Sequence, residues 1–220
     1  MKKFTRILSI GLAAALSVML GTSCTRQARK TRALAQADRS FAAGQYDQAE
    51  IEYLNALKLE ALNPQAIGQL GLIYYAQGRV GRASPFLLKG RELQPENLEL
   101  RQKLGMLQLG TGHLKEARAE ADFILARKPQ DAEAPLLLAE TAVAPTDMEE
   151  VRKRLQSLPP PAAEGAPVLV ALGTLDLRQR NLKDAEAAFK RAQALDPEDP
   201  RVKANLEELA ELRRKKSGAP

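Results

Sequence analysis

The chain has 220 residues and a formal net charge of +6, with 4% aromatics and no tryptophan. Alanine and leucine dominate while aromatic and β-branched residues are scarce, a composition that favours helix and argues against a β-rich domain. The excess of positive charge sits at the two ends (Lys2, Lys3, Arg6, Arg26, Arg29, Lys30 and Arg32, then Arg213, Arg214, Lys215 and Lys216) and leaves an acidic body, so the basic stripe interleaved with stacking aromatics that nucleic-acid binding needs is missing.

At the N-terminus, Lys2, Lys3 and Arg6 precede an apolar run from Ile7 to Leu20 and then the small residues Gly21, Thr22 and Ser23. That order, over residues 1–23, is the order of a secretory signal. The run is 14 residues long, short of the roughly 20 a spanning helix needs, which disfavours a retained transmembrane anchor. Cys24 follows at once and is the only cysteine, so an intramolecular disulfide and a thiolate metal cluster are excluded. Residues 1–24 resemble a bacterial lipoprotein signal, with Gly21 standing where that family has an aliphatic residue. The resemblance implies cleavage before Cys24, lipidation of Cys24 and anchoring by several acyl chains. Thr25 in place of an acidic residue implies sorting to the outer membrane, facing the periplasm. The alternatives are an ordinary cleavage that leaves Cys24 incidental, or a cytoplasmic chain. Residues 24–29 are expected to be a short basic linker.

The body repeats with a period of 34 residues. Ala49, Ala83, Ala117, Val151 and Ala185 keep that step, as do the turn glycines Gly44, Gly78 and Gly112 and the small residues Ala37, Gly71, Gly105, Ala139 and Gly173. Pro95 and Pro129 are one period apart, and Pro197 lies two periods further on. The predicted units, in chain order, are 30–63, 64–97, 98–131, 132–165 and 166–199, each a pair of antiparallel helices. The first has a weak leading helix. The second carries Ile67, Leu70, Gly71, Tyr74, Ala83, Leu87 and Pro95, and the third has Arg101 where an aromatic is usual. The fourth is degenerate and ends in Pro159-Pro160-Pro161, with 159–167 predicted as a flexible joint. The fifth carries Leu169, Leu172, Gly173, Ala185, Phe189 and Pro197. Thr146 with Glu149 reads as a capping box, and Asp199-Pro200 as an N-cap followed by a first-turn proline. Residues 200–216 form a capping helix, apolar through Val202, Leu206 and Leu209 and basic at its end.

This pattern resembles the tetratricopeptide repeat, over about residues 30–212. The resemblance implies an all-α, right-handed superhelical solenoid of about five helix-turn-helix units plus the C-terminal cap. Gly71, Gly105 and Gly173, with Ala83, Ala117 and Ala185, are the repeat-packing positions, where a missing or small side chain admits the neighbouring helix. The family's concave face, lined by the first helix of each unit, is where partner segments bind. Its positions fall here on Leu72, Tyr75 and Ala76; Gln102, Met106 and Leu109; Leu136, Glu140 and Val143; and Val170, Thr174, Leu177 and Arg178. These side chains form either a partner groove or core between hairpins. A subclass that clamps a carboxylate uses lysines and asparagines; Leu72, Met106, Glu140 and Thr174 cannot supply that clamp, so an apolar partner segment is expected.

Nothing in the sequence signals catalysis. The single histidine, His113, follows a turn glycine without a nucleophile or orienting partner in view, and no phosphate-binding loop, metal-ligand spacing or Ser/His/Asp set occurs. No enzyme and no cofactor is expected. The sequence reads as an envelope interaction scaffold, held by a lipid anchor, with a protein partner and no nucleic acid. The competing reading is a factor that binds a cell-wall-processing enzyme or its glycan.

Overall fold

The computed structural model describes residues 25–217; the signal segment and Cys24 lie outside the described residues. Every regular element among the described residues is helical, and the chain divides into two compact units, one ending at Glu96 and the other beginning at Asn97.

The first unit holds α1 (25–42), α2 (Tyr46–Leu59), α3 (Pro64–Ala76) and α4 (Val80–Leu93). Residues 25–29, expected as a linker, already belong to α1, because no proline or glycine interrupts the helix formers from Thr25 onward. Ala49, Tyr53, Ala56, Leu70, Ile73, Ala83 and Leu87 are fully buried. The Tyr53 hydroxyl donates to Asp38 Oδ1 at 2.7 Å, so burial and the neighbouring carboxylate both push its pKa far up. Tyr74 donates to Glu50 Oε1 at 2.9 Å, and Arg79 donates to Glu50 Oε2 at 2.7 Å while lying 4.7 Å from the Tyr74 ring centre. These bonds tie the first hairpin to the second through the polar ends of core aromatics.

The second unit holds α5 (Leu98–Gly110), α6 (Leu114–Arg127), α7 (Ala134–Glu140), α8 (Pro145–Gln156), a 3₁₀ turn (Ala162–Glu164), α9 (Ala166–Arg178), α10 (Leu182–Leu195) and α11 (Pro200–Ser217). Helix α9 is buried on two faces. Val168, Ala171 and Leu175 pack with α6, α7 and α8, while Leu169, Val170 and Leu177 pack with α10 and α11. An apolar helix that is covered on both sides needs no polar stripe, which accounts for the run Val168-Leu169-Val170-Ala171. At its centre the approach to α10 is too close for a side chain: a Cβ on Gly173 would sit 2.5 Å from Phe189 Cε1. Arg101, in the place of the missing aromatic, lies 3.3 Å from the Phe123 ring centre and pairs with Glu120 at 2.6 Å. Its flat guanidinium thus supplies both stacking area and a charge partner.

Helix starts repeat with the same 34-residue step. Asn63 Oδ1 accepts from the Ala66 amide at 2.9 Å, Asn97 Oδ1 from Leu100 at 3.2 Å, Asp131 Oδ1 from Ala134 at 3.0 Å and Asp199 Oδ1 from Arg201 at 2.9 Å. Two local expectations need correcting. Helix α8 begins at Pro145, and Asp147 accepts from the Ala144 amide at 3.3 Å; Thr146 lies inside the first turn because proline presets the first helical position. The 159–167 stretch, expected to be a joint, is structured around the 3₁₀ turn, with Ala162 buried in the core.

Candidate functional site

The second unit carries a cleft of about 450 Å³ between α7, α9 and α11. Leu136 and Glu140 reach it from α7, Thr174, Leu177 and Arg178 from α9, and Arg180 from the turn that follows. Helix α11 contributes Arg201, Ala204, Asn205, Glu208 and Leu212.

Two of the three arginines have fixed roles. Arg178 Nη1 donates to the carbonyls of Ala139 and Ala142, both at 3.1 Å, and its Nη2 donates to Glu140 Oε2 at 2.9 Å. It thereby adds a charged donor to two carbonyls at and just past the C-terminal end of α7, one of which, that of Ala139, also accepts from the Ala142 amide at 3.1 Å. Arg201 grips Asp199 through Nη2 at 2.7 Å and Nε at 3.0 Å, and donates through Nη1 to the Ala132 carbonyl at 3.0 Å and Glu133 Oε1 at 3.3 Å. Hydrogen bonding by Arg201 holds the Asp199 carboxyl below its ordinary pKa, despite burial that acts the other way. The cleft is therefore walled by leucines and edged by charge, where the sequence predicted an apolar groove.

The predicted groove residues separate on inspection. Leu136, Glu140, Thr174, Leu177 and Arg178 meet in the cleft. Val170 is fully buried and Leu72 is 6% exposed, so both are core; each points to the side of its helix that another helix covers. Leu177 is buried on most of its surface and shows one edge to the cleft. Val143 (63% exposed) and Met106 (39%) stand in solvent outside the cleft, and Gln102, Leu109 and Tyr75 are half-buried. Burial raises the pKa of the Tyr75 hydroxyl. Sequence reasoning missed Arg180 and the whole α11 wall. A signal existed for Arg180, since it stands one 34-residue step beyond Thr146 and two beyond Gly112, on the turn-glycine register. None existed for α11, which reads simply as a cap.

His113 stands just before α6, with Nδ1 2.9 Å from Thr111 Oγ1. Among the described residues no group of three or more His, Cys, Asp or Glu could hold a metal ion.

Known proteins resemble this chain in sequence or in fold. A BBSome complex member, BBS4, from cattle (Bos taurus) is 26% identical over 162 residues, which cover 74% of this chain and 31% of that protein; the chain thus spans about a third of its length. Among solved structures, MamA (residues 41 to the end) from Desulfovibrio magneticus RS-1 is 20% identical with a TM-score of 0.63, covering 78% of this chain and 97% of that one. YrrB, a TPR protein with an unusual peptide-binding site, is 16% identical with a TM-score of 0.63, covering 80% and 90%. These structural likenesses carry the fold. The sequence profile of the tetratricopeptide repeat matches residues 34–97 and 170–219, more than half of the chain, and the protein therefore belongs to the tetratricopeptide repeat family.

Proposed function

We propose that this protein is a non-enzymatic interaction scaffold that holds a segment of a partner protein in the α7/α9/α11 cleft. The observation that carries the reading is the cleft itself: three successive first-position helices bring Leu136, Leu177 and Leu212 together beside polar groups that can orient a guest. The peptide-binding site named for YrrB, a protein of the same fold, supports the choice of a peptide guest. The sequence of residues 1–24 supports a place in the bacterial envelope, with acyl chains on Cys24 holding the scaffold at the outer membrane, facing the periplasm, as an accessory of an envelope assembly or export machine. Among the described residues no helix is long and apolar enough to cross a membrane, so on this reading Cys24 supplies the attachment.

Crosslinking in cells, followed by purification from membranes and mass spectrometry, tests both parts. Ala204 is exposed in the cleft wall, so Ala204→Trp fills the cleft without disturbing the core. The expected result is loss of the partner with Ala204→Trp, and release of the protein to the soluble fraction with Cys24→Ala. Full retention of every partner by Ala204→Trp overturns the cleft reading; continued membrane association of Cys24→Ala overturns the anchor.

A further inference from the structure

Three hairpins make their turn with a glycine in the left-handed region: Gly44 (φ 72°), Gly78 (φ 68°) and Gly112 (φ 80°). In each, the next amide reaches back to the first helix, Gln45 to the Ser40 carbonyl, Arg79 to Tyr74 and His113 to Gln108, all at 2.8 Å. The fifth hairpin makes the same turn, with the Asn181 amide donating to the Asp176 carbonyl at 2.9 Å, but its left-handed residue is Arg180 (φ 62°). Among the described residues it is the one non-glycine residue with a positive φ. A Cβ in this conformation crowds the following carbonyl, a steric cost that glycine escapes.

The turn's backbone hydrogen bonds offset part of that cost, and no side-chain contact of Arg180 among the described residues adds to them. The Arg180 side chain is exposed, and among the described residues its guanidinium makes no hydrogen bond or ion pair. It nevertheless lines the cleft, where Arg178 and Arg201 are already committed to Glu140, Asp199, Glu133 and backbone carbonyls. A left-handed non-glycine residue with an uncommitted charge at the mouth of a cleft is the kind of local strain that function retains.

We propose that Arg180 binds a carboxylate of the partner segment, so that the cleft selects an apolar segment carrying an acidic side chain. Leucines of the guest would meet Leu136, Leu177 and Leu212, and the planar guanidinium would take the carboxylate through paired N–H donors. Glu208, a carboxylate in the same lining with no ion partner among the described residues, disfavours a uniformly acidic guest. The inference rests on the cleft being the partner site.

Selection of a displayed random 12-residue peptide library on the detergent-solubilised full chain tests it, with Ala204→Trp, Arg180→Gly and Arg180→Lys in parallel. The expected outcome is that wild type enriches leucine-containing peptides with one Asp or Glu, and that Ala204→Trp loses them. Arg180→Gly should weaken a selected peptide roughly tenfold, the size of one charge-assisted contact, while its melting temperature stays level or rises. Arg180→Lys should keep part of the affinity. Peptides lost with Ala204→Trp but showing no acidic preference, or bound equally by Arg180→Gly, overturn the role of Arg180 and leave the cleft reading standing. A lower melting temperature in Arg180→Gly marks the guanidinium as structural and also overturns the proposal. Peptides that survive Ala204→Trp, or no enrichment at all, overturn the cleft reading and this inference with it.

Discussion

In the fifth hairpin, α9 and α10 close directly on one another, backbone to ring, where Gly173 faces Phe189. The fourth hairpin has no glycine at the matching position but Ala139, and its first helix, α7, is only 7 residues long. So short a helix leaves nearly all its backbone groups at one end or the other, and polar side chains from elsewhere complete it. Asp131 accepts from the amides of Glu133 and Ala134, both at 3.0 Å, at one end. At the other, Arg178 takes two carbonyls and Arg118 Nε donates to Thr141 Oγ1 at 3.2 Å. Helix α8 is then tied to α9 by Arg152 and Asp176 at 2.6 Å. The degenerate repeat thus keeps a core through Leu137, Leu138, Val151 and Leu155, and polar contacts from elsewhere in the chain complete the ends of its short helix.

That contrast can be broken experimentally. Phe189→Ala removes the ring that fills the fifth hairpin and should cost about 4 kcal/mol in urea unfolding; a loss below about 1 kcal/mol would mean that the hairpin does not depend on this contact. Arg178→Ala should cost about 2 kcal/mol by withdrawing charge-assisted bonds from α7. Hydrogen exchange should then rise in 134–142 while α10 stays protected, and uniform deprotection would erase the distinction between the hairpins. Asp131→Ala should cost about 1 kcal/mol, the usual value of an N-cap, measured the same way.

The smallest effect is a difference in acid response. Burial alone would raise the Asp131 carboxyl, but the amides of Glu133 and Ala134, with Lys128, hold it below its ordinary value of 3.8. Its folded pKa is thus depressed, so its contribution is complete above the ordinary carboxylate range and fades as pH falls through the lowered folded value. Helix α9 is preceded by Gly165 at its N-cap, which has no side chain to titrate. Amide exchange followed from pH 5 toward pH 2 should therefore loosen the start of α7 before that of α9. Glu186 sharpens the same test between α10 and α11: hydrogen bonds from Arg213, then Lys190, lower its pKa to about 2, so this tie persists until pH falls toward that value. Glu186→Gln should make that part of the profile flat.

Much of the fold was legible before the structure, because the 34-residue period is local physics. Gly71, Gly105 and Gly173, the turn glycines and the prolines mark where two helices must touch and where a chain must reverse, and each mark lies within one hairpin of its partner. The Asn63, Asn97, Asp131 and Asp199 series was legible as well, had the capping residues been aligned on the same step. Helical periodicity does not say which side of a first helix is covered, and so the choice between groove and core stayed open for Leu72 and Val170, whose burial puts them in the core.

By itself, then, the sequence determined an all-helical repeat protein of the tetratricopeptide kind, its turns and most of its helix ends, since these follow from side-chain size and backbone preference over short stretches. Tertiary structure decided which of the expected groove positions meet in the cleft, and it alone supplied the α11 wall. Its walls join residues as far apart as Leu136 and Leu212, and whether α11 closes a core or borders a site depends on how it packs against α9 and reaches α7. The conformation of Arg180 stands between the two: its place in the repeat was written in the sequence, but its uncommitted guanidinium and its position at the cleft follow from the three-dimensional arrangement of α7, α9 and α11, because only packing brings those helices around one guest-sized space.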